Sequence, residues 1–125
     1  MEKITFADFD LPEKILDVLA DQNLFEPTPI QNKTLKPILS GRDVMGIAQT
    51  GTGKTLAYLL PVLKSWKYNK NGNPTVVILV PTRELVVQVT EIVKNLTQNI
   101  TARVIGVYGG VNIKTQKLLF NDGCD

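Results

Sequence analysis

The stretch Ala48-Gln49-Thr50-Gly51-Thr52-Gly53-Lys54-Thr55 constrains the fold of this chain more than any other. It follows a short apolar run, Val44 to Ala48, and opens Lys54 to Lys64, where Leu56, Leu59, Leu60 and Leu63 recur at helical spacing. The order is strand, glycine-rich turn, helix. A helix of that length returns the chain along the strand, so the next strand lies parallel to the first. Thr75 to Val80 reads as that strand, buried on both faces, and Arg103 to Val107 as a third, running into Gly109-Gly110. Glu84 to Leu96, with Leu85, Val89, Ile92, Val93 and Leu96 on one side, and Asn112 to Phe120 read as the intervening helices. The expected class is α/β with a parallel sheet.

Helices also precede the first strand. Asp10-Leu11-Pro12-Glu13 has the form of an N-cap with an acid three positions on, and predicts a helix over about Leu11 to Gln22. Thr28-Pro29 opens a second, threonine as cap and proline at the first helical position, and Gly41 stops it after Leu39. Tyr68 to Pro74 is a loop. Trp66 and Tyr68, interleaved with Lys64, Lys67 and Lys70, read as a fraying helix end and its solvated loop in preference to a base-stacking platform.

Composition narrows the chemistry. The 125 residues contain no histidine and one cysteine, Cys124, which excludes Ser-His-Asp and Cys-His catalysis, histidine-ligated metals and an internal disulfide. A net charge of +2 announces no nucleic-acid partner by itself, so such a function needs local signals. Met1 to Lys14 carries Glu2, Asp8, Asp10 and Glu13 without an apolar segment, unlike a signal or transit peptide, and Val76 to Val80 is far too short to span a membrane. A reducing, cytoplasmic setting is the expectation.

The glycine-rich turn sits where a phosphate-binding loop belongs. Gly51 and Gly53 let successive amides face inward, the following helix offers its positive end, Lys54 reaches the outer phosphates, and the Thr55 hydroxyl suits Mg²⁺. Ala48 stands where the generic pattern has its first glycine. Upstream, Pro27-Thr28-Pro29-Ile30-Gln31 supplies a base selector: a glutamine amide pairs donor and acceptor with the N6/N7 edge of adenine. Thr28 and Gln31 equally match a capping box, and one side chain can serve both purposes. Arg83, in the first turn of a helix capped by Thr82, is a cation where the macrodipole disfavours one, so it calls for an anion nearby or a structural ion pair.

Taken together, these motifs resemble the amino-terminal half of the first RecA-like domain of DEAD-box ATP-dependent RNA helicases, over nearly the whole chain. The resemblance implies a three-layer RecA-like P-loop fold, with residues 1–41 as a helical adenine-recognition region and 42–125 as part of the ATP-binding domain. Asn23 to Gln31 matches the family's Q motif, with Asn23-Leu24 in place of its usual Gly-Phe. Phe6 falls where the family keeps an aromatic that packs on adenine, with Phe9 a nearby competitor. Ala48 to Thr55 is the family's own form of the loop, so Phe6, Pro27, Thr28, Gln31 and Gln49 to Thr55 would hold ATP, with Lys54 and Thr55 the catalytic pair and Thr55 on Mg²⁺. Pro81-Thr82-Arg83-Glu84-Leu85 matches motif Ia, with Val86 where alanine is commoner; it and Gly109-Gly110 would contact the backbone of single-stranded RNA or a short duplex.

The acid that positions the attacking water, the motif that names the family and the second RecA-like domain with its arginine finger are all expected beyond Asp125. The parent is therefore read as an RNA helicase, and this stretch alone as inactive. The rival readings are a non-catalytic adenine-nucleotide module and a P-loop small-molecule kinase. A guanine selector is disfavoured because Asn32-Lys33 is followed by Leu35 where aspartate would be needed.

Overall fold

A computed structural model describes residues 2–125. They gather into two compact units, Met1–Ser65 and Trp66–Asp125.

The first unit is helical. A 3₁₀ turn, Phe6–Phe9, precedes α1 (Glu13–Asp21), α2 (Pro29–Leu39) and α3 (Lys54–Ser65). Ile15, Val18 and Leu19, spaced to share one face of α1, are fully buried, as are Leu35 of α2 and Leu59 and Leu60 of α3. α2 packs on α3, so the helix that begins in the glycine-rich turn rests on the helix that carries Gln31. Asp10 does not cap α1: it sits in the left-handed region (φ 54°) as C-cap of the 3₁₀ turn, and Pro12 takes the N-cap. The competing signal is Thr5 to Asp8, whose carboxylate accepts from the Thr5 amide at 2.7 Å and so claims the local capping geometry.

α1 and α2 end alike. Leu24 N–H donates to Leu19 O at 2.8 Å and Asn23 N–H to Ala20 O at 2.9 Å; Arg42 N–H donates to Pro37 O at 3.1 Å and Gly41 N–H to Ile38 O at 2.9 Å. Both are Schellman closures, which require a left-handed residue just past the cap. Gly41 adopts it at φ 82° and Asn23 at φ 58°. Asparagine is the side chain best able to replace glycine there, so Asn23 keeps this turn intact.

The second unit holds α4 (Arg83–Leu96) and α5 (Ile113–Asn121). Its buried side chains are few: Val89, Leu96, Thr97 and the Cys124 thiol. No residue of α5 is buried. Residues 76–80 alternate between half-buried and exposed, the period of two that extended backbone imposes. Val77 and Leu79 are 75% and 91% exposed, so only one face is covered, against the expectation of burial on both.

The expected parallel sheet is not formed among the described residues. Val44 to Ala48, Val77 to Val80 and Val104 to Val107 run without helix or ladder, and none makes a backbone–backbone hydrogen bond. An extended segment is a strand only when a neighbour about 4.8 Å away accepts its hydrogen bonds. Two of these segments instead lie against helices: a Cβ on Gly46 would touch Ile30 Cδ1 at 3.4 Å on α2, and one on Gly106 would meet Thr90 Oγ1 at 2.5 Å on α4.

The base of the second unit is clasped by Arg103 and Asp125. The Asp125 carboxylate accepts from the Arg103 amide at 2.7 Å, from Nε at 3.1 Å and from Nη2 at 2.9 Å. Nη2 also donates to Asn69 O at 2.8 Å, and the guanidinium lies 5.4 Å from the Tyr68 ring centroid. Asp125 O in turn accepts from the Thr75 and Val76 amides at 2.8 and 3.0 Å. Tyr68 is thereby a structural partner of an arginine, and α3 has already ended at Ser65, in keeping with a solvated loop. Among the described residues no helix is long and apolar enough to cross a membrane.

Candidate functional site

In the first unit, Gln49 to Gly53 turns into α3, whose first residue is Lys54. Gly51 and Gly53 both take left-handed backbone, φ 82° and 86°, which lets the chain reverse tightly enough to aim amides toward one point. The loop is folded on itself: Thr52 Oγ1 donates to Gln49 O and Lys54 Nζ to Ala48 O, both at 2.6 Å. Lys54 makes no ion pair among the described residues, so its ammonium is held only by a neutral carbonyl. A phosphate at the helix end offers it a stronger, charge-assisted bond.

Gln31 is 2% exposed, and its amide is shared between two elements. Its Oε1 accepts from the Thr28 amide at 2.9 Å, which is the capping interaction, and its Nε2 donates to Gly53 O at 3.0 Å, which ties α2 to the loop. A side chain at Gly53 would run into that amide nitrogen and lie 3.0 Å from Thr28 Oγ1. Glycine is thus required at 53 for space as well as for φ. The Thr28 hydroxyl is buried beside the loop and faces the Gln31 backbone amide in the capping box without a well-formed hydrogen bond.

Phe6 and Phe9 are both buried, at 3% and 4% exposed, and Phe6 N–H donates to Phe25 O at 2.9 Å. Burial therefore does not choose between them. Pro27 is half-buried ahead of the Thr28 cap. Thr55 has a partner that the sequence did not single out. The Tyr58 phenol lies one turn along α3: burial pushes its pKa up, and the nearby Thr55 hydroxyl pulls the other way. The i, i+3 spacing was its available signal. No three His, Cys, Asp or Glu gather among the described residues.

In the second unit, Thr82 caps α4 by accepting from the Leu85 amide at 3.2 Å, and Pro81 precedes it exposed. Arg83 makes no ion pair among the described residues. Its guanidinium lies against Gly110, where an added Cβ would be 2.6 Å from Nη1 and 2.8 Å from Cζ. Motif Ia and the glycine pair are thus brought together, although 27 positions apart in the numbering, by an exposed arginine on a glycine of φ 83°. Gly109 faces open space. An unpaired guanidinium beside bare peptide at a helix N-terminus is arranged for an anion.

The sequence profile of the DEAD/DEAH box helicase family matches residues 28–125. The chain is 39% identical to the ATP-dependent RNA helicase SrmB of Escherichia coli (strain K12), an alignment covering 100% of this chain and 29% of that protein. Among solved structures, the RNA-helicase Prp28 from Chaetomium thermophilum bound to ADP superimposes with a TM-score of 0.84 at 37% identity, over 98% of this chain and 30% of its own. A DEAD box protein from the hyperthermophile Methanococcus jannaschii gives 0.85 at 30% identity, over 96% and 33%. The chain spans about a third or less of the proteins it matches. With the profile covering the glycine-rich loop, the Gln31 tether and the Arg83–Gly110 pair, this chain belongs to the DEAD/DEAH box helicase family.

Proposed function

We propose that this chain is an adenine-nucleotide-binding part of an ATP-dependent RNA helicase, which couples ATP binding and hydrolysis to RNA binding and local duplex unwinding. The observation that carries the reading is the Gln31 amide, bonded at once to the Thr28 cap and to Gly53 of the loop. A glutamine amide has two donor hydrogens and two acceptor lone pairs, and these contacts use one of each. One donor and one acceptor remain, the pair needed for the N7 and N6 edge of adenine. A base bound there would be mechanically joined to the loop that holds its phosphates.

In this reading residues 1–41 recognise the base, and 42–125 belong to a RecA-like domain in whose complete parallel sheet the three extended segments would pair as strands. Gln49 to Gly53 would wrap the phosphates, Lys54 would leave Ala48 O for them, and Thr55 would face Mg²⁺. Bound ATP supplies the phosphoryl group whose loss drives the cycle. RNA would lie by its backbone on Pro81, Thr82, Arg83, Gly109 and Gly110. A second RecA-like domain of the parent completes catalysis, so the chain by itself is expected to hold nucleotide without turning it over.

Calorimetry of the full-length protein with ADP and GDP tests the base assignment: ADP is expected to bind at least about tenfold tighter. Equal affinities would reject it. Lys54→Ala is expected to lower ATP turnover by about 100-fold or more while leaving the melting temperature in place, because its exposed ammonium gives up one hydrogen bond to a carbonyl.

A further inference from the structure

We propose that Gln116 is the residue that positions the Gly109-Gly110 turn for RNA. Tyr108, immediately before that turn, has both its backbone groups taken by one side chain. Its N–H donates to Gln116 Oε1 at 3.0 Å, and its carbonyl accepts from Gln116 Nε2 at 3.2 Å. Two parallel bonds to a planar amide fix a peptide in the way a neighbouring strand would, and both are partly buried. Beyond them the turn has little to hold it. Neither Gly109 nor Gly110 makes a backbone–backbone hydrogen bond among the described residues, Gly109 has open space around it, and Gly110 sits at φ 83°. The next fixed point is Asn112, which caps α5 by accepting from the Lys114 amide at 2.9 Å.

Two adjacent glycines lose more freedom on ordering than any other pair of residues. A turn held at one end by Gln116 and at the other by Asn112 has that loss already met before a ligand arrives. The consequence reaches Arg83, whose guanidinium seats against Gly110 and would lose its platform if the turn wandered. Gln116 touches no phosphate in this account; it acts through the peptides it holds. The inference rests on the reading of Arg83 and Gly110 as RNA contacts.

The test uses full-length protein and a labelled single-stranded RNA, with affinity followed by fluorescence anisotropy across a salt series in the presence of adenine nucleotide. Gln116→Met, similar in length and without the two hydrogen bonds, is expected to weaken RNA binding about five- to twentyfold with an unchanged salt slope. In RNA-stimulated ATP turnover the apparent KM for RNA should rise by the same factor, while kcat at saturating RNA and KM for ATP stay put. Arg83→Ala should lower both the affinity and the salt slope, the latter by about 0.7 for one phosphate contact on a single strand. The double variant should lose no more than about twice what Arg83→Ala loses. Gln116→Asn, a neutral amide too short to reach both Tyr108 groups, should give the same split where the methionine variant folds poorly. Unchanged RNA affinity in the Gln116 variants with Arg83→Ala impaired would overturn the positioning role, as would a loss of kcat and ATP affinity in parallel with a fall in melting temperature. Unchanged affinity in Arg83→Ala would overturn the underlying RNA reading instead.

Discussion

In Met1–Ser65 the side chains of Ile15, Val18, Leu19, Leu35, Leu59 and Leu60 are 1% exposed or less, whereas in Trp66–Asp125 Val77, Leu79, Ile113 and Leu118 stand in the open. Both units are rich in aliphatic residues. They differ in where backbone hydrogen bonds come from. A helix satisfies its own and is free to bury whichever face is apolar, so α1, α2 and α3 bury theirs together with Phe6, Phe9 and Leu11. An extended segment must borrow its partners, and residues 76–80 and 103–107 find them only at their starts, where Val76 and Arg103 bond to Asp125. The functional groups follow the same division: Gln31 and Gly53 are wired to each other inside a core, while Arg83 rests on a glycine at the surface.

The contrast can be broken most forcefully at its centre. Leu60→Ala should destabilise the chain by about 2–5 kcal/mol, the cost of a cavity in a closed core, whereas Leu79→Ala should change it by less than about 0.5 kcal/mol. Denaturant melts of the 125-residue chain measure both; equal effects would mean that the two units are stabilised alike. Next in size is Gly53→Ala, which forces a side chain into left-handed backbone and against the Gln31 amide. It should cost about 1–2 kcal/mol from the backbone alone and weaken nucleotide binding by about tenfold or more, while Gly109→Ala, in open space, should leave the fold unchanged.

Gln31→Ala tests whether the tether matters beyond capping. Losing one cap and one loop contact should cost about 1–2 kcal/mol, and nucleotide should bind more weakly even where helix content by circular dichroism is kept. The smallest effect belongs to the second unit's clasp. The hydrogen bonds from Arg103 hold the Asp125 carboxyl below its ordinary 3.8. A depressed carboxylate contributes stability that is present above the unfolded value and is lost as pH falls through the folded one. Thermal melts from pH 6 down to 2.5 should therefore show the difference between the natural chain and Asp125→Asn shrinking below about pH 4.

Much of the first unit was legible because its signals are local. Thr28, Pro29 and Gly41 bracket α2 within fourteen residues, and Asn23 in place of glycine is explained by the left-handed turn it completes. Asp10 misled because two capping patterns overlap between Thr5 and Glu13, and only packing decides which forms. Thr75 to Val80 was readable as extended, but burial on both faces depends on neighbours that no local pattern contains. The site divided along the same line. Gln31 as cap could be read from its spacing to Thr28, whereas its bond to Gly53 spans 22 positions. Gln116 left no mark, since a glutamine one turn into a helix looks like any solvated side chain until Tyr108 is seen beside it.

The clasp at Asp125 also bears on when the chain can fold as it is made. Asp125 collects Arg103, 22 positions earlier, and Thr75, 50 positions earlier, through one carboxylate and one carbonyl. At a synthesis rate of about 5–20 residues per second, roughly 3–12 seconds separate the appearance of Ser65 from that of Asp125. The helical unit can close during that interval. The extended segment from Thr75 follows ten positions after Ser65 and stays without its Asp125 partner for the rest of the interval.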